Sequence, residues 1–429
     1  MKQVVSYKAR IIDKRLSLQP TLDIYREAVS FIVDVANKEW NNLQGLTLKA
    51  SYNKIESLIH TTKNNTASYD FDAQFMKFPS YLRRSAIADS FGIVSSYKSN
   101  YANWEKARHG NPPTLSLKHY KCPALYKGNM FNKIDRLTYA VKIYDGKTWC
   151  WTSVTLRETD VNYIEKVKHQ KTFSPLLVKQ GRRFYLQFTF EVEYTLPKHT
   201  SRVLAVDLGL NTLATCAVIN HDGTVQARKF IDFPREIARQ RTLCNRLRKA
   251  QKLGGRKATN KKLWAKINNI NDELVNKVVL SIVTFAKDND CQTIVFEHLN
   301  FKGKRPRKIA MRMQLWRKRG ILEKATLKAH LNGLRTSTVC AWNTSALAFD
   351  GSGKVIRSRS AKLATFVTGK QYDADLNAAY NIGARYFIRD YNKTIPAKVW
   401  LLAEAKVPEA GKRTLCTLST LISLVVALK

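Results

Sequence analysis

Residues 204–219 read LAVDLGLNTLATCAVI, an apolar, strand-like run that carries a single acid, Asp207. Two further acids stand in comparable settings: Glu297 near the end of TIVFEHLN, and Asp375 within YDADLNAAYNIGARY at 372–386, just before a helical pattern. The first two end β-rich runs, so a parallel or mixed sheet would bring together carboxylates that are about 80 to 90 residues apart in the chain.

Three clustered carboxylates predict a metal site. They repel one another unless cations hold them, and this is the logic of two-metal phosphodiester cleavage, with Mg²⁺ ions roughly 4 Å apart. Each acid alone is weak evidence, because an Asp at a strand end or before a helix is often only a turn or cap residue. The order strand–Asp, strand–Glu, Asp–helix is much more specific.

This order resembles the split RuvC nuclease domain of the TnpB-type transposon-encoded nucleases and the compact type V CRISPR effectors. DLGLNTLAT resembles the first family motif, FEHLN the second, and DADLNAAYNIG the third, whose pattern is D-x-N-A-A-x-N-I. The resemblance covers residues 203–386 well, and the preceding half of the chain only in its layout.

The resemblance implies a function and a set of site residues. Asp207, Glu297 and Asp375 would be catalytic and would ligate Mg²⁺ or Mn²⁺, with Asp373 as a mere neighbour. The partners would be a guide RNA and target double-stranded DNA with a short flanking motif, where protein reads the flank and pairing reads the rest.

Charge limits the possible partners. The 429 residues include 73 Lys and Arg against 33 Asp and Glu, a formal net charge of +40. Such an excess is not needed for folding, so we expect a polyanionic partner and no membrane partner. A chain of this length has room for two or three domains with substantial cores.

Cysteine usage and the chain ends bear on location. The seven cysteines are scattered without a CxxC pair, which predicts reduced thiols in a cytoplasmic, nucleoid-associated prokaryotic protein. The first residues, MKQVVSYKARIIDK, lack the apolar region of a secretion signal. The apolar run 414–429 is shorter than the roughly 20 residues of a membrane span, so we interpret it as a helix packing on the nuclease sheet.

The first half of the chain changes its periodicity. A strand at 3–12 is followed by helical patterns near 21–44, 51–60 and 80–107, and after a Pro-rich break at 109–123 the period becomes two. Strands are predicted in LTYAVKIYD, KTWCWTSVTL, FSPLLVK and RRFYLQFTFEVEY, the last two joined as a hairpin at Gln180–Gly181. Six aromatic residues of these strands are candidates for base stacking, although alternating aromatics are more often core: Trp149, Trp151, Phe184, Tyr185, Phe188 and Phe190.

We therefore predict an α+β and α/β multidomain fold. An N-terminal β-barrel-like or sandwich wedge with a helical insert precedes an RNase H-like (RuvC) α/β nuclease domain with basic helical insertions. The predicted boundaries are 1–20 with 110–198 for the wedge, 21–109 for the recognition insert, 199–386 for the nuclease domain and 387–429 for a C-terminal helical extension.

Two basic runs are candidate nucleic-acid surfaces. Residues 228–262 hold thirteen Lys or Arg and two acids, and the one-sided sign is unlike a merely solvated helix. Residues 302–319 hold nine basic residues and no acid, directly after Glu297, and resemble the lid region of the family. The predicted contact residues are Arg246, Arg248, Lys249 and Lys252 in the first run, and Lys304, Arg305, Arg307 and Lys308 in the second.

The zinc ribbon of the family is degenerate in residues 336–370. Two C-x-x-C pairs are expected, but their four positions are Cys340, Asn343, Thr365 and Thr368. One thiolate, one amide and two hydroxyls do not make the tetrahedral site of structural zinc. We predict no structural zinc and a metal-free, ribbon-like hairpin held by Trp342, Leu347, Phe349 and Phe366.

Three functions fit the sequence. The leading one is an RNA-guided DNA endonuclease, in which guidance rests on the resemblance. A second is an RNA-guided or direct DNA-binding regulator that is inactive or weakly active as a nuclease, for which the lost zinc ligands argue. The third is a guide-independent RNase H-like resolvase or transposase. Sequencing RNA that copurifies with the protein separates the first from the third.

Overall fold

The computed structural model describes residues 1–13, 16–116, 122–167, 171–210, 212–254, 257–298, 318–357, 362–394, 396, 401–402, 422–423 and 426–427. The chain forms two compact units, Lys2–Glu193 and Tyr194–Lys429, with Met1 counted in the second. Both mix helices and sheets, so the predicted mixed α/β, multidomain class is confirmed. In the described part of the chain, no helix is both long and apolar enough to span a membrane.

The first unit contains seven strands and six helices in its described residues. The strands are β1 (Lys2–Arg10), β2 (Phe131–Lys133), β3 (Thr138–Tyr144), β4 (Trp149–Thr155), β5 (Lys171–Thr172), β6 (Leu176–Gln180) and β7 (Arg183–Glu193). The helices are α1 (Gln19–Lys38), α2 (Trp40–Leu43), α3 (Leu48–Ile59), α4 (Phe71–Gln74), α5 (Ser80–Ala107) and α6 (Glu158–Glu165).

The predicted barrel is wrong, because the strands form two open sheets. One sheet has the order β1-β7-β5, with β6 also paired to β7, and the other has the order β2-β3-β4. Between the two sheets, the described residues form one isolated bridge, from Ile11 to Leu156, and no continuous ladder. The β6–β7 hairpin turns at Gly181–Arg182, one residue later than predicted, because Gln180 pairs with Arg183.

The helices of the first unit bury one apolar face each. Along α1, Leu22, Tyr25, Val29 and Ile32 recur every three or four residues and are fully buried. This stripe packs against α5. The predicted helical stretch 21–44 is confirmed in type, although it is divided at Glu39 into α1 and α2.

The second unit is built on one five-stranded sheet. Its strands are β8 (Arg202–Asp207), β9 (Ala214–Asn220), β10 (Val225–Ile231), β11 (Thr293–His298) and β12 (Arg335–Cys340), in the order β10-β9-β8-β11-β12. The β10–β9 and β9–β8 pairs are antiparallel, whereas β8–β11 and β11–β12 are parallel. Its helices are α7 (Pro234–Lys252), α8 (Lys257–Asp288), α9 (Lys318–Leu331) and α10 (Ala374–Thr394).

Helices cover both faces of this sheet. Alternate strand residues such as Leu204, Val206 and Phe296 join a core with α7, α8 and α9, while Ala205 and Val295 join a second core with α10. Strands buried on both faces appear in sequence as unbroken apolar runs, which is why 203–206 contains no polar residue.

α10 lies unusually close to the sheet at Gly383. A Cβ atom at this position would lie 3.2 Å from Ala205 Cβ and would collide with Ile219 Cδ1. The NIG sequence therefore contains glycine because the helix and the central strands leave no room for a side chain.

Candidate active site

Three acids of the second unit occupy one corner of the sheet. Val206 of β8 pairs with Phe296 of β11, so Asp207 and Glu297 follow at the same edge of two parallel neighbours. Alternate residues of a strand share one face of the sheet, so Asp207 and Glu297 lie on the same face as Ala205 and Val295. This face packs against α10, whose first turn carries Asp375. The sheet register and the helix start thus bring the three predicted acids to one place.

Electrostatics couples Asp207 to the other two acids. Burial first, and then the negative charges of Glu297 and Asp375, raise the pKa of Asp207 from 3.8 to about 7. Lys318 at the start of α9 and Arg357 act in the opposite direction. Lys318 is itself largely buried, which lowers the pKa of its amine against the pull of Glu297 and Asp207.

Asp373 and Asp375 differ in their surroundings although they are two residues apart. The Asp373 carboxylate accepts the backbone N–H groups of Asp375 and Leu376, both at 3.0 Å, and so caps α10. Burial, followed by the charge of Asp373, raises the pKa of Asp375. The helix begins at Ala374, so Asp375 lies inside its first turn and not before it, as the sequence had suggested.

Glu297 is 7 % exposed and has a buried polar neighbour. The hydroxyl of Thr344, itself 2 % exposed, donates to Glu297 Oε1 at 2.5 Å and also lies 3.1 Å from the carbonyl oxygen of Ala341. Sequence reasoning missed Thr344, because it lies 47 residues from Glu297 and inside the degenerate ribbon.

Two asparagines of α10 hold the segment that carries Thr344. The Asn377 side chain donates to the Leu347 carbonyl at 2.8 Å and accepts the Phe349 N–H at 2.9 Å. Asn381, one turn later, donates to the carbonyls of Thr344 and Leu347, each at 2.8 Å.

Two arginines continue this row along the same helix face. Arg385 donates to the Cys340 carbonyl at 2.8 Å. Arg389 donates to the Thr338 carbonyl at 3.0 Å and to the Ser337 hydroxyl at 2.8 Å. Residues at four-residue spacing share one helix face. This face of α10 is hydrogen-bonded to β12 and to the segment after it, from Asn377 to Arg389.

The donor chemistry at this corner suits a hard divalent cation, since carboxylate oxygens are the usual ligands of Mg²⁺ and Mn²⁺. Within the described residues, no three His, Cys, Asp or Glu side chains stand close enough together to hold a metal ion. The acids therefore form a carboxylate cluster whose members are coupled in charge but not gathered to coordination distance.

The ribbon-like segment has an aromatic interior. Its strands are β13 (Ile356–Arg357), β14 (Leu363–Thr365) and β15 (Gln371–Asp373), which form a three-stranded antiparallel sheet. Phe349 packs against Phe366 and Tyr372 with ring centroids 5.6 and 5.1 Å apart. The prediction that Phe349 and Phe366 hold the hairpin is confirmed, whereas Trp342 is 69 % exposed and does not.

The basic residues predicted on the first run lie on α7. Leu243, Cys244 and Leu247 form its buried face, and Arg246, Arg248, Lys249 and Lys252 are exposed. Arg246 lines a cleft of about 490 Å³ with Arg239 of α7 and Lys266 of α8. Lys304, Arg305, Arg307 and Lys308 lie outside the described residues.

Of the aromatic candidates in the first unit, Phe188 and Phe190 are core residues at 7 % and 3 % exposure, as predicted. Trp149 packs against Phe78, and Trp151 is 45 % exposed. In the C-terminal run, Ile422 packs against the α10 core, and most of the other residues of the run are outside the described ones.

Comparisons with known proteins address the family. Residues 187–305 match the model of the OrfB_IS605 family, described as a probable transposase, and residues 3–145 match the Aq_aa04 family. The chain is 25% identical over 231 residues to the TnpB-like protein aq_aa05 of Aquifex aeolicus (strain VF5), covering 48% of this chain and 76% of the relative. The predicted resemblance to TnpB-type proteins is confirmed.

Solved structures were compared with this chain by fold. A Cas12f1-sgRNA-target DNA complex superposes with a TM-score of 0.53 at 16% identity, over 85% of this chain and 81% of that one. The mini-RNA-guided endonuclease CRISPR-Cas_phi3 aligns with a TM-score of 0.44 at 13% identity, over 89% and 92% of the two chains. The likeness to the Cas12f1 chain shows a shared fold.

Proposed function

We propose that this TnpB-like chain is an RNA-guided DNA endonuclease that hydrolyses phosphodiester bonds at a RuvC-like site formed by Asp207, Glu297 and Asp375. The observation that carries the proposal is the convergence of these three acids at one corner of the sheet, two on neighbouring parallel strands and one on the helix that covers them. An acid such as Asp207, whose pKa is raised by burial and by the charges of its neighbours, is costly to keep, and a cation site gives a reason for it.

The roles follow from position. Asp207, Glu297 and Asp375 would hold Mg²⁺ or Mn²⁺, which supplies water activation and charge stabilisation of the leaving oxygen when bound. Asp207 and Glu297 project from a rigid sheet, so their spacing is set by the register of β8 and β11. Asp375 sits on a capped helix end, and Asn377 and Asn381 of the same helix hold the segment that carries Thr344.

RNA and DNA as partners are supported by charge and by kinship. The chain carries +40, and exposed basic side chains line α7. The solved Cas12f1 complex contains an sgRNA and target DNA. In this proposal residues 199–386 act as the nuclease domain, and 21–109 together with the strands of the first unit read a short flank on the DNA, as in other guided effectors.

A non-cutting, RNA-guided DNA-binding regulator is the second candidate. The observation that favours it is that no three of the described metal-type ligands are gathered to coordination distance. The regulator and the nuclease bind the same partners and differ only in hydrolysis.

The test uses the full-length chain purified with its bound RNA. Sequencing of that RNA should reveal one defined noncoding species. A guide with a rewritten targeting segment should then redirect cleavage to a matching plasmid, in Mg²⁺ and not in EDTA. Guide-dependent binding without cleavage would establish the regulator, and cleavage without RNA would establish a guide-independent nuclease.

A further inference from the structure

The contact between Glu297 and Thr344 divides the two oxygens of a carboxylate. The Thr344 hydroxyl donates to Glu297 Oε1 at 2.5 Å, and both residues are buried, Glu297 at 7 % and Thr344 at 2 % exposure. A hydroxyl has one hydrogen to give, and a carboxylate is a stronger acceptor than the Ala341 carbonyl at 3.1 Å. The bond takes one lone pair of Oε1 and fixes the rotation of the carboxylate, and within the described residues Oε2 accepts no hydrogen bond.

The position of Thr344 is itself fixed from several sides. Its carbonyl accepts from Asn381 at 2.8 Å, and the preceding residue, Asn343, has a left-handed backbone with φ of 60°. Asn is among the residues that tolerate this conformation best. A side chain held at this depth by a helix and by a turn is suited to orienting a ligand, in the way that outer-shell partners orient metal ligands.

We propose that Thr344 is the positioning residue of Glu297: its hydroxyl bonds Oε1 and fixes the rotation of the carboxylate, so that Glu297 is pre-oriented as a ligand that would help hold a divalent cation. This inference rests on the proposed function, since it concerns the same carboxylate cluster. It adds to the three acids a residue from the degenerate ribbon.

The test compares Thr344→Val, which replaces the hydroxyl by a methyl group, with Thr344→Ser, which keeps it. The matched control is Thr293→Val. Thr293 is also buried, its hydroxyl is hydrogen-bonded to that of Thr200 at 2.9 Å, and it lies at the opposite end of β11 from Glu297. Two midpoints are measured as a function of Mg²⁺ concentration, the rise of the melting temperature without nucleic acid and the rate of guided cleavage.

Thr344→Val should raise the Mg²⁺ concentration at both midpoints by about 10-fold or more, the usual effect of losing an outer-shell partner. Thr344→Ser and Thr293→Val should keep the wild-type midpoints. Unchanged midpoints in a folded Thr344→Val, or an equal shift in Thr344→Ser, would overturn the inference alone. If Mg²⁺ changed neither the melting temperature nor the cleavage rate of the wild-type chain, the proposed function would be overturned as well.

A second observation, in the first unit, is independent of this site. A cavity of about 400 Å³ opens between the β2-β3-β4 sheet, α6 and β7. Its walls are aromatic, including Phe131 and Tyr139, whose stacked rings are 5.1 Å apart, and Phe173, which lies 5.1 Å beneath the Lys171 amine. Protein interiors are normally filled, so an open aromatic cavity of this size has the character of a ligand site.

The charges at the cavity favour an anion. Lys127 and Lys133 are exposed at its edge, while Glu165, the acid among its lining residues, forms an ion pair with Arg136 at 3.1 Å. Aromatic walls suit a planar ring, and lysines beside them suit an anion. A nucleotide combines these two groups. We infer that this cavity receives one unpaired nucleotide of the bound nucleic acid, its base against the rings and its phosphate at Lys133.

Photocrosslinking of the full-length protein tests this site. One arm uses the copurified guide RNA substituted with 4-thiouridine, and the other a single-stranded DNA with 4-thiothymidine, so that the crosslinked arm identifies the source of the nucleotide. Crosslinks should map to peptides that contain Phe131, Tyr139 or Phe173. Lys133→Ala and Phe173→Ala should lose at least half of them.

The matched control is Lys147→Ala, an exposed lysine in the turn between β3 and β4 that does not line the cavity. It removes the same charge from the same sheet and should keep the crosslinks. Absence of crosslinks in both arms, or equal losses in Lys133→Ala and Lys147→Ala, would overturn the site. Guided cleavage by the same preparation would show that the proposed function stands without it.

Discussion

Asp373 and Asp375 show how neighbouring identical residues acquire different tasks. Asp373 satisfies two backbone N–H groups of the first turn of α10, whereas Asp375 lies at the carboxylate cluster. We expect Asp207→Ala, Glu297→Ala and Asp375→Ala each to abolish cleavage, because each removes charge that the transition state needs. Nucleic-acid binding, measured by filter retention, should be nearly unchanged.

Asp373→Ala is the control for these three variants. It should keep most of the cleavage activity and lose about 1 kcal/mol of stability, the usual effect of removing a helix N-cap. An essential Asp373 beside a dispensable Asp375 would show that the two roles are exchanged.

The raised pKa of Asp207 predicts how stability depends on pH without metal. The native state keeps a proton at Asp207 up to about pH 7, while the unfolded chain releases it near 3.8, so stability falls as pH rises through this window. Asp207→Asn carries no such proton. In EDTA, the free energy of unfolding of the wild type should therefore fall relative to that of the variant between about pH 4 and 7, by up to roughly 4 kcal/mol. The difference between the two proteins should be constant above pH 7.

Urea unfolding at several pH values between 5 and 8 measures this gap. Mg²⁺ added at pH 8 should stabilise the wild type and not the Asn variant. Parallel pH profiles for the two proteins would mean that Asp207 is not protonated in the folded state.

At the level of single residues, sequence indicated the acids but not their partners. Asp207 and Glu297 end apolar runs and Asp375 opens a helical pattern, so the order of the three acids can be recognised in the sequence. Thr344 has no such pattern, because its role depends on where Asn381 holds the chain. Hydrogen bonds between residues that are distant in sequence leave no periodic signal.

At the level of elements, the packing of α10 on the sheet gives a direct test. Gly383→Ala should raise intrinsic helix propensity by about 1 kcal/mol, but the added methyl group has to displace Ala205 or Ile219. Overpacking in such a place costs about 1–3 kcal/mol. We expect a net loss of stability, measured as a lower urea midpoint.

Gly92 in the interior of α5 provides the matched control, since a Cβ there has no neighbour within 4 Å. Gly92→Ala should stabilise the protein by about 0.5–1 kcal/mol. Stabilisation by both substitutions would mean that α10 and the sheet have room to separate.

The strands were predictable from their period and the sheets were not. Alternation located β3, β4, β6 and β7 within one to three residues of their ends. Which strands pair across the chain is decided by contacts such as Val5 with Phe190, and no local pattern reports these. The barrel was predicted from the run of alternating strands, and the two sheets remain open because, among the described residues, a single bridge takes the place of a continuous ladder between them.

At the level of the whole molecule, the excess of positive charge predicts salt-dependent binding. Changing Arg246, Arg248, Lys249 and Lys252 to Gln should weaken nucleic-acid binding. The slope of log affinity against log salt should become shallower by roughly one unit for each phosphate that the variant no longer neutralises. Lys277→Gln is the control, because Lys277 is already paired with Glu236 and with Glu273 at 3.0 Å. An equal change of slope in both variants would argue against α7 as a specific nucleic-acid surface.

The second basic run gives a different prediction. Neutralising Lys304, Arg305, Arg307 and Lys308, next to Glu297 in sequence, should slow guided cleavage more than it weakens binding, as expected of a lid over the site. Single-turnover cleavage and equilibrium binding on the same target separate the two effects. A binding loss as large as the cleavage loss would make this run an additional docking surface.

The row of side chains along α10 has an evolutionary consequence. Asn377, Asn381 and Arg385 reach the carbonyls of residues 340–347 and the amide of Phe349, and none of these partners is a side chain. Hydrogen bonds to backbone groups do not depend on the side chains of the bonded segment, so most substitutions in that segment leave them intact. Side chains of the segment 340–349 can therefore be replaced while the loop that carries Thr344 stays in place beside Glu297.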